Sequence, residues 1–148
     1  MTQNLNYKDS TVFLELPSDF QLGPGEYQVV ICEKPLAAKR ISEVLGSKKL
    51  TKREPMPGVI IFDVISDDNV RYVVCSAFGH LYGLFPVEKN RKKYPIYDVK
   101  WSPRISKVRK EKKRISQTLQ VISDISPGAS GFIHACDYDL EGELIGYN

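Results

Sequence analysis

The segment Asp137-Tyr138-Asp139-Leu140-Glu141-Gly142-Glu143 places carboxylates at alternate positions. Carried through a strand end and a turn, that spacing lets several oxygens converge on one hard cation, for which Mg2+ is the natural candidate. Mg2+ keeps part of its water and is commonly shared between protein carboxylates and phosphate oxygens, which couples such a cluster to phosphoryl transfer. A plainer reading stays open, because the helix macrodipole also favours acidic residues in a first turn. A calcium loop is a third reading, with Asp137, Asp139, Glu141 and Gly142 at its first, third, fifth and sixth places. Against it, the twelfth place is Asn148 rather than a bidentate glutamate, and a strand rather than a helix leads in.

Something must hold these groups at one place. Gly131-Phe132-Ile133-His134-Ala135-Cys136 reads as a buried strand ending at Asp137, which opens a helix. Earlier, Tyr27-Gln28-Val29-Val30-Ile31-Cys32 is a short β-branched run suited to a parallel strand buried on both faces. Glu33 interrupts it, Pro35 suits a first helical turn, and Ala37, Ala38, Ile41, Val44 and Leu45 recur at helical spacing before Gly46. Cys32 precedes Glu33 as Cys136 precedes Asp137. Both acids are therefore expected at carboxyl ends of strands, the ligand edge of an open α/β sheet.

Between the two junctions, Val59–Ile65 and Val70–Cys75 read as a hairpin around Ser66-Asp67-Asp68-Asn69. Residues Lys89 to Trp101 read as a long surface loop, and from Ile105 a helix is expected with Val108, Ile115, Leu119 and Ile122 on its apolar face. Its other face carries Lys107, Arg109, Lys110, Lys112, Lys113 and Arg114, a pattern suited to DNA phosphates or simply to solvent. The whole chain has 148 residues, 42% hydrophobic, and a formal charge of +3, which fits one core and says little about partners. Residues 1–25 read as an N-terminal extension closed by Leu22-Gly23-Pro24-Gly25, and residues 26–148 as the domain. Three widely spaced cysteines, Cys32, Cys75 and Cys136, form no disulfide framework or CxxC set and read as small buried hydrophobes of a reducing compartment. No apolar run is long enough to span a bilayer, so a soluble, cytoplasmic protein with no membrane partner is expected.

Four ordered segments together resemble the Toprim domain of type IA DNA topoisomerases. They are Ile31-Cys32-Glu33-Lys34-Pro35-Leu36-Ala37-Ala38, Ser76-Ala77-Phe78-Gly79-His80-Leu81, Tyr97-Asp98-Val99-Lys100-Trp101-Ser102-Pro103, and Ala135-Cys136 through Glu143. The Glu-Lys-Pro form is closer to the topoisomerase III and archaeal branches. The resemblance implies an α/β, Rossmann-like fold with a mainly parallel central sheet, flanking helices and an inserted β-hairpin. It further implies Glu33 as the acid/base at a leaving 3′ oxygen, Lys34 as the charge on the scissile phosphate, and Asp137, Asp139 and Glu141 as Mg2+ ligands. His80 falls where the family places a histidine near DNA, which makes a single-stranded region of DNA the implied partner. Leu140 departs from the arginine many relatives carry there. The family's nucleophilic tyrosine lies in another domain, so this stretch is expected to be part of a longer enzyme and inactive alone. Tyr138 reads as packing, and Trp101 as core or rim. Two other functions stay open: a stand-alone Toprim nuclease or primase-like protein, and a non-enzymatic module gripping DNA through the basic helix and the Lys89–Lys93 loop.

Overall fold

The computed structural model describes Leu22 and residues 25–87, 94–104 and 109–147, with only the backbone of Arg109 and Lys110. Five strands form the main sheet: β1 (Tyr27–Cys32), β2 (Lys49–Met56), β3 (Val59–Ile65), β4 (Arg71–Ser76) and β7 (Ala129–Ala135). Their order is β2-β3-β4-β1-β7. β1 runs parallel to both β4 and β7, whereas β3 is antiparallel to both β2 and β4. Only β3 therefore runs against the other four, which makes the sheet mainly parallel with an inserted hairpin, as expected. A separate antiparallel ribbon joins β5 (Tyr82–Pro86) to β6 (Val99–Pro103). Three α-helices, α1 (Pro35–Leu45), α2 (Arg109–Ile125) and α3 (Leu140–Tyr147), and a short 3-10 turn at Ser126–Gly128 complete the described elements.

Alternation along the strands divides the core into two layers. One face gathers Val30, Cys32, Phe62, Val64 and Val74 under Ala38 of α1. The other gathers Tyr27, Val29, Ile61, Val73 and Cys75 under Val121 and Ile125 of α2. Each fully buried valine or isoleucine contributes roughly 1.5–3 kcal/mol, which makes these two layers the main stabilising term. Leu22 packs against the α2-side layer, and its carbonyl accepts a hydrogen bond from Arg71.

Several sequence expectations need correction. β7 is an edge strand, not a buried one: Phe132 is 58% exposed and Ile133 37%. Its run of apolar residues resembles that of β1, but among the described residues β1 has a strand on each side and β7 on one. The expected loop from Lys89 to Trp101 gives way at Val99 to β6, and residues 88–93 lie outside the described residues. In α2 the fully buried positions are Thr118, Val121 and Ile125, with Gln117 nearly so, which turns the inward face away from Leu119. Val108 and Lys107 lie outside the described residues. The hairpin expected at Val59–Cys75 does form, and Asn69 adopts the left-handed conformation (φ 62°) that closes it.

One polar cluster crosses the α2-side layer. Asp63 accepts bonds from Arg71 at 2.8 and 2.9 Å and from Arg53 at 3.3 Å, joining three adjacent strands. Arg71 also lies 5.5 Å over the Tyr27 ring, whose hydroxyl donates to the Ile125 carbonyl at 2.7 Å. Removing the central carboxylate would strip both guanidiniums of the anion that neutralises them between the strands. Asp63→Ala is therefore expected to lower the unfolding free energy by roughly 3 kcal/mol, measured by urea denaturation. A loss below 1 kcal/mol would show that water replaces the carboxylate.

Candidate active site

Three strand ends meet at one edge because β1 lies between β4 and β7 in near-level register. Cys32 pairs with both Ser76 and Ala135. Directly after β1, Glu33 leaves the sheet and Lys34 takes the N-cap of α1 with extended angles (φ −116°, ψ 146°). Lysine has no acceptor with which to cap, so its side chain turns outward. Its ammonium donates to Asp137 at 2.9 Å and reaches Glu33 at 3.2 Å. Lys34 thus joins two acids 104 positions apart. These bonds, first from Asp137 and then from Glu33, raise the lysine above its usual pKa, and it stays fully charged at neutral pH.

After β7 the chain turns through Asp137-Tyr138-Asp139 into α3. Asp139 accepts the Gly142 amide at 2.7 Å, a cap on the first turn. The plainer reading of the acidic segment is therefore real for this residue. Gly142 is required by close approach: a Cβ there would lie 2.0 Å from the Asp137 carbonyl oxygen. Gly146, one turn on, faces the His134 ring at 2.5 Å from its would-be Cβ. His134 donates to the Gly142 carbonyl at 2.8 Å, tying α3 back onto β7. Sequence reasoning missed this tie; the Gly142/Gly146 pair at i,i+4, marking a helix face that meets backbone closely, was its one visible signal.

The third strand end is β4. Ala77 donates to the Cys32 carbonyl at 2.8 Å and Gly79 to the Glu33 carbonyl at 3.2 Å, hanging the Ala77–His80 turn on the end of β1. Phe78 adopts φ 56°, an uncommon conformation for a bulky residue and one that stored-strain sites share. The turn delivers His80 to Glu141, and the ring Nε2 makes a close contact with that carboxylate. Beneath all three ends lie the cysteines that are distant in sequence. Burial pushes the Cys32 and Cys75 thiols up to about 12 and the Cys136 thiol up to about 11. They are neutral, inert packing at physiological pH.

The structure thus brings together Glu33, Lys34, His80, Asp137, Asp139 and Glu141. Of the acids that meet Lys34 or His80, Glu33 is the most withdrawn, with 17% of its side chain exposed against 59% for Asp137 and 71% for Glu141. Among the described residues no three His, Cys, Asp or Glu side chains form a ready metal cage. Each carboxylate instead meets a protein donor: Lys34, the Gly142 amide, or His80. The donor chemistry still fits Mg2+, since these are hard oxygens on exposed side chains that can exchange a lysine or histidine partner for a cation. Lys112 and Lys113 sit exposed on α2, and the side chain of Lys110 lies outside the described residues. Tyr138 is fully exposed rather than packed, and Trp101, 40% exposed, sits on the β5–β6 ribbon opposite Leu84.

Gly142→Ala is expected to displace the turn from Asp137 to Glu141 while sparing the sheet. Amide shifts should change across residues 137–146 and stay put in β3 and β4. A variant spectrum identical to that of the parent protein would show that the contact is relaxed at no cost.

The sequence model of the Toprim domain matches residues 28–148. The chain is 41% identical over 119 residues to a Pyrococcus furiosus protein named DNA topoisomerase 1, covering 80% of this chain and 11% of that one. It is 38% identical over 123 residues to the Methanocaldococcus jannaschii protein of the same name, covering 81% and 15%. For the Methanothermobacter thermautotrophicus protein of that name the identity is 36% over 122 residues, covering 82% and 16%. The chain spans 16% or less of the length of these relatives. No helix among the described residues is long and apolar enough to cross a membrane. The family match runs from β1 through the acidic turn, across all three strand ends that build the site: this chain belongs to the Toprim domain family.

Proposed function

We propose that this chain is the catalytic Toprim domain of a type IA DNA topoisomerase, acting in cleavage and religation of a single DNA strand. The nucleophilic tyrosine would come from another part of the enzyme. The observation that carries the reading is the Lys34 bridge, which holds an acid from the β1 end and an acid from the β7 end around one cation. In this reading the Lys34 ammonium faces the negative charge of the scissile phosphate. Glu33, partly withdrawn beside it, gives a proton to the leaving 3′ oxygen on cleavage and takes it back on religation. Asp137, Asp139 and Glu141 would hold Mg2+, which when bound supplies positive charge shared between carboxylates and phosphate oxygens. His80, paired with Glu141, orients that carboxylate and presents a donor to the DNA. Lys112 and Lys113, with Lys110, would meet the phosphate backbone farther along the strand.

Lys34 and a metal compete for the Asp137 carboxylate, which gives opposite signs for two variants. Calorimetry should show Mg2+ binding by the parent chain, weakened more than tenfold by Asp137→Asn with Asp139→Asn. Lys34→Met should tighten Mg2+ binding roughly two- to fivefold by freeing Asp137 from an exposed ammonium. Unchanged Mg2+ binding in the double asparagine variant would overturn the metal assignment. DNA cleavage by this chain without a covalent protein adduct would point to a nuclease instead.

A further inference from the structure

Gly142, in the first turn of α3, is held on three sides. Its amide donates to the Asp139 carboxylate at 2.7 Å, its Cα meets the Asp137 carbonyl so closely that no Cβ fits between them, and its own carbonyl accepts from the His134 ring at 2.8 Å. The first two contacts lie inside the acidic turn and travel with it. The third comes from the sheet: His134 stands on β7 opposite Ile31, in a parallel register that runs unbroken from Gln28 to Cys32. Two other ties from the turn, Asp137 to Lys34 and Glu141 to His80, run through the carboxylates that a metal would take. The bond from His134 reaches backbone instead, so it stays in place when those carboxylates change partners.

A carbonyl oxygen can only accept, so His134 Nε2 carries the proton, and that nitrogen is spent on Gly142 rather than open to a metal. One turn on, Gly146 leaves room for the ring, since a Cβ there would lie 2.5 Å from both Cδ2 and Nε2. Glu141 directly precedes Gly142 and Asp139 binds its amide, so the placing of this one residue carries both acids. How closely they must be placed depends on the cation. Mg2+ demands a near-octahedral set of oxygens at roughly 2.0–2.1 Å, whereas Ca2+ accepts about six to eight oxygens in looser arrangements. A turn pinned to the sheet suits the first; a turn free to pivot about the end of β7 would serve the second nearly as well.

We propose that His134 is a positioning residue that gives the acidic site its preference for Mg2+ over Ca2+. By fixing the Gly142 carbonyl to β7, it holds Asp139 and Glu141 in the arrangement that the smaller cation requires, before any metal arrives. It acts through Gly142 and is not itself a ligand. The partners that orient metal-binding groups from behind commonly govern affinity almost as strongly as the ligands do. This role presupposes the metal assignment made under Proposed function.

The test is calorimetric titration of the chain with Mg2+ and, separately, with Ca2+, paired with thermal unfolding. His134→Leu, which removes the donor, should weaken Mg2+ binding about tenfold and Ca2+ binding by less than about threefold. His134→Gln, whose amide nitrogen reaches to where Nε2 stands, should bind Mg2+ within about twofold of the parent chain. Gly146→Ala gives an independent reading: its methyl group displaces the ring, so it should show the same Mg2+-selective loss although alanine is the better helix former. A merely structural role for His134 would lower both affinities alike, together with Tm. Equal losses for the two cations in His134→Leu and Gly146→Ala, or no loss for either cation, would overturn the positioning role and leave the metal assignment standing. Absence of Mg2+ binding by the parent chain would instead defeat the metal assignment and the role of His134 with it.

Discussion

Everything at the candidate site depends on the parallel pairing of β1 with β4 on one side and β7 on the other. Parallel strands carry all their carboxyl ends to one edge, and the shared register of Cys32 with Ser76 and Ala135 brings three ends level there. The pairing extends past the strands themselves, as the Cys32 and Glu33 carbonyls go on to bind the turn that follows β4. Burial on both faces then fixes the register, because a slip of one residue would carry Val29 and Val30 into the wrong layers. Precision at the acidic edge is therefore supplied from below, by apolar side chains that touch no ligand.

Above that edge the balance is electrostatic. Four carboxylates from two strand ends lie near one lysine and one histidine, with the N-termini of α1 and α3 opening toward the same place. Helix N-termini favour negative charge, and Lys34 neutralises part of what remains while the His80 ring meets Glu141. The exposed pairs are individually weak in water, which makes them exchangeable. A site that must accept both a divalent cation and a polyanionic strand needs that property. The buried Asp63–Arg71 pair, set in the sheet, has the opposite character: little exposure, several bonds and a structural duty.

Much of this was legible from sequence where local chemistry determines structure. The β-branched run of β1, Pro35 at the start of α1, the turn at Asn69 and the alternating acids each announce their element. Other features depend on contacts that sequence order hides. β2 carries charges and Pro55, and it becomes a strand only as an edge whose register slips between Arg53 and Met56, where proline's missing donor is harmless. β7 looks as apolar as β1 yet lies at the other edge, a difference set by neighbours rather than by composition. The meeting of Lys34 with Asp137, of His80 with Glu141, and of three distant cysteines all follow from strand order. So does the inward turn of Thr118, a polar residue that a periodicity count passes over.

The central claim is that residues near 33, 80 and 140 form one site. Mg2+ titration of the isotopically labelled chain, followed by amide chemical shifts, tests it directly. One saturable binding event should move Glu33, Lys34, Gly79, His80 and Asp137–Glu143 together, with a common dissociation constant, and leave β2 and β3 unmoved. Shifts confined to residues 137–143, or separate dissociation constants for the three segments, would contradict it.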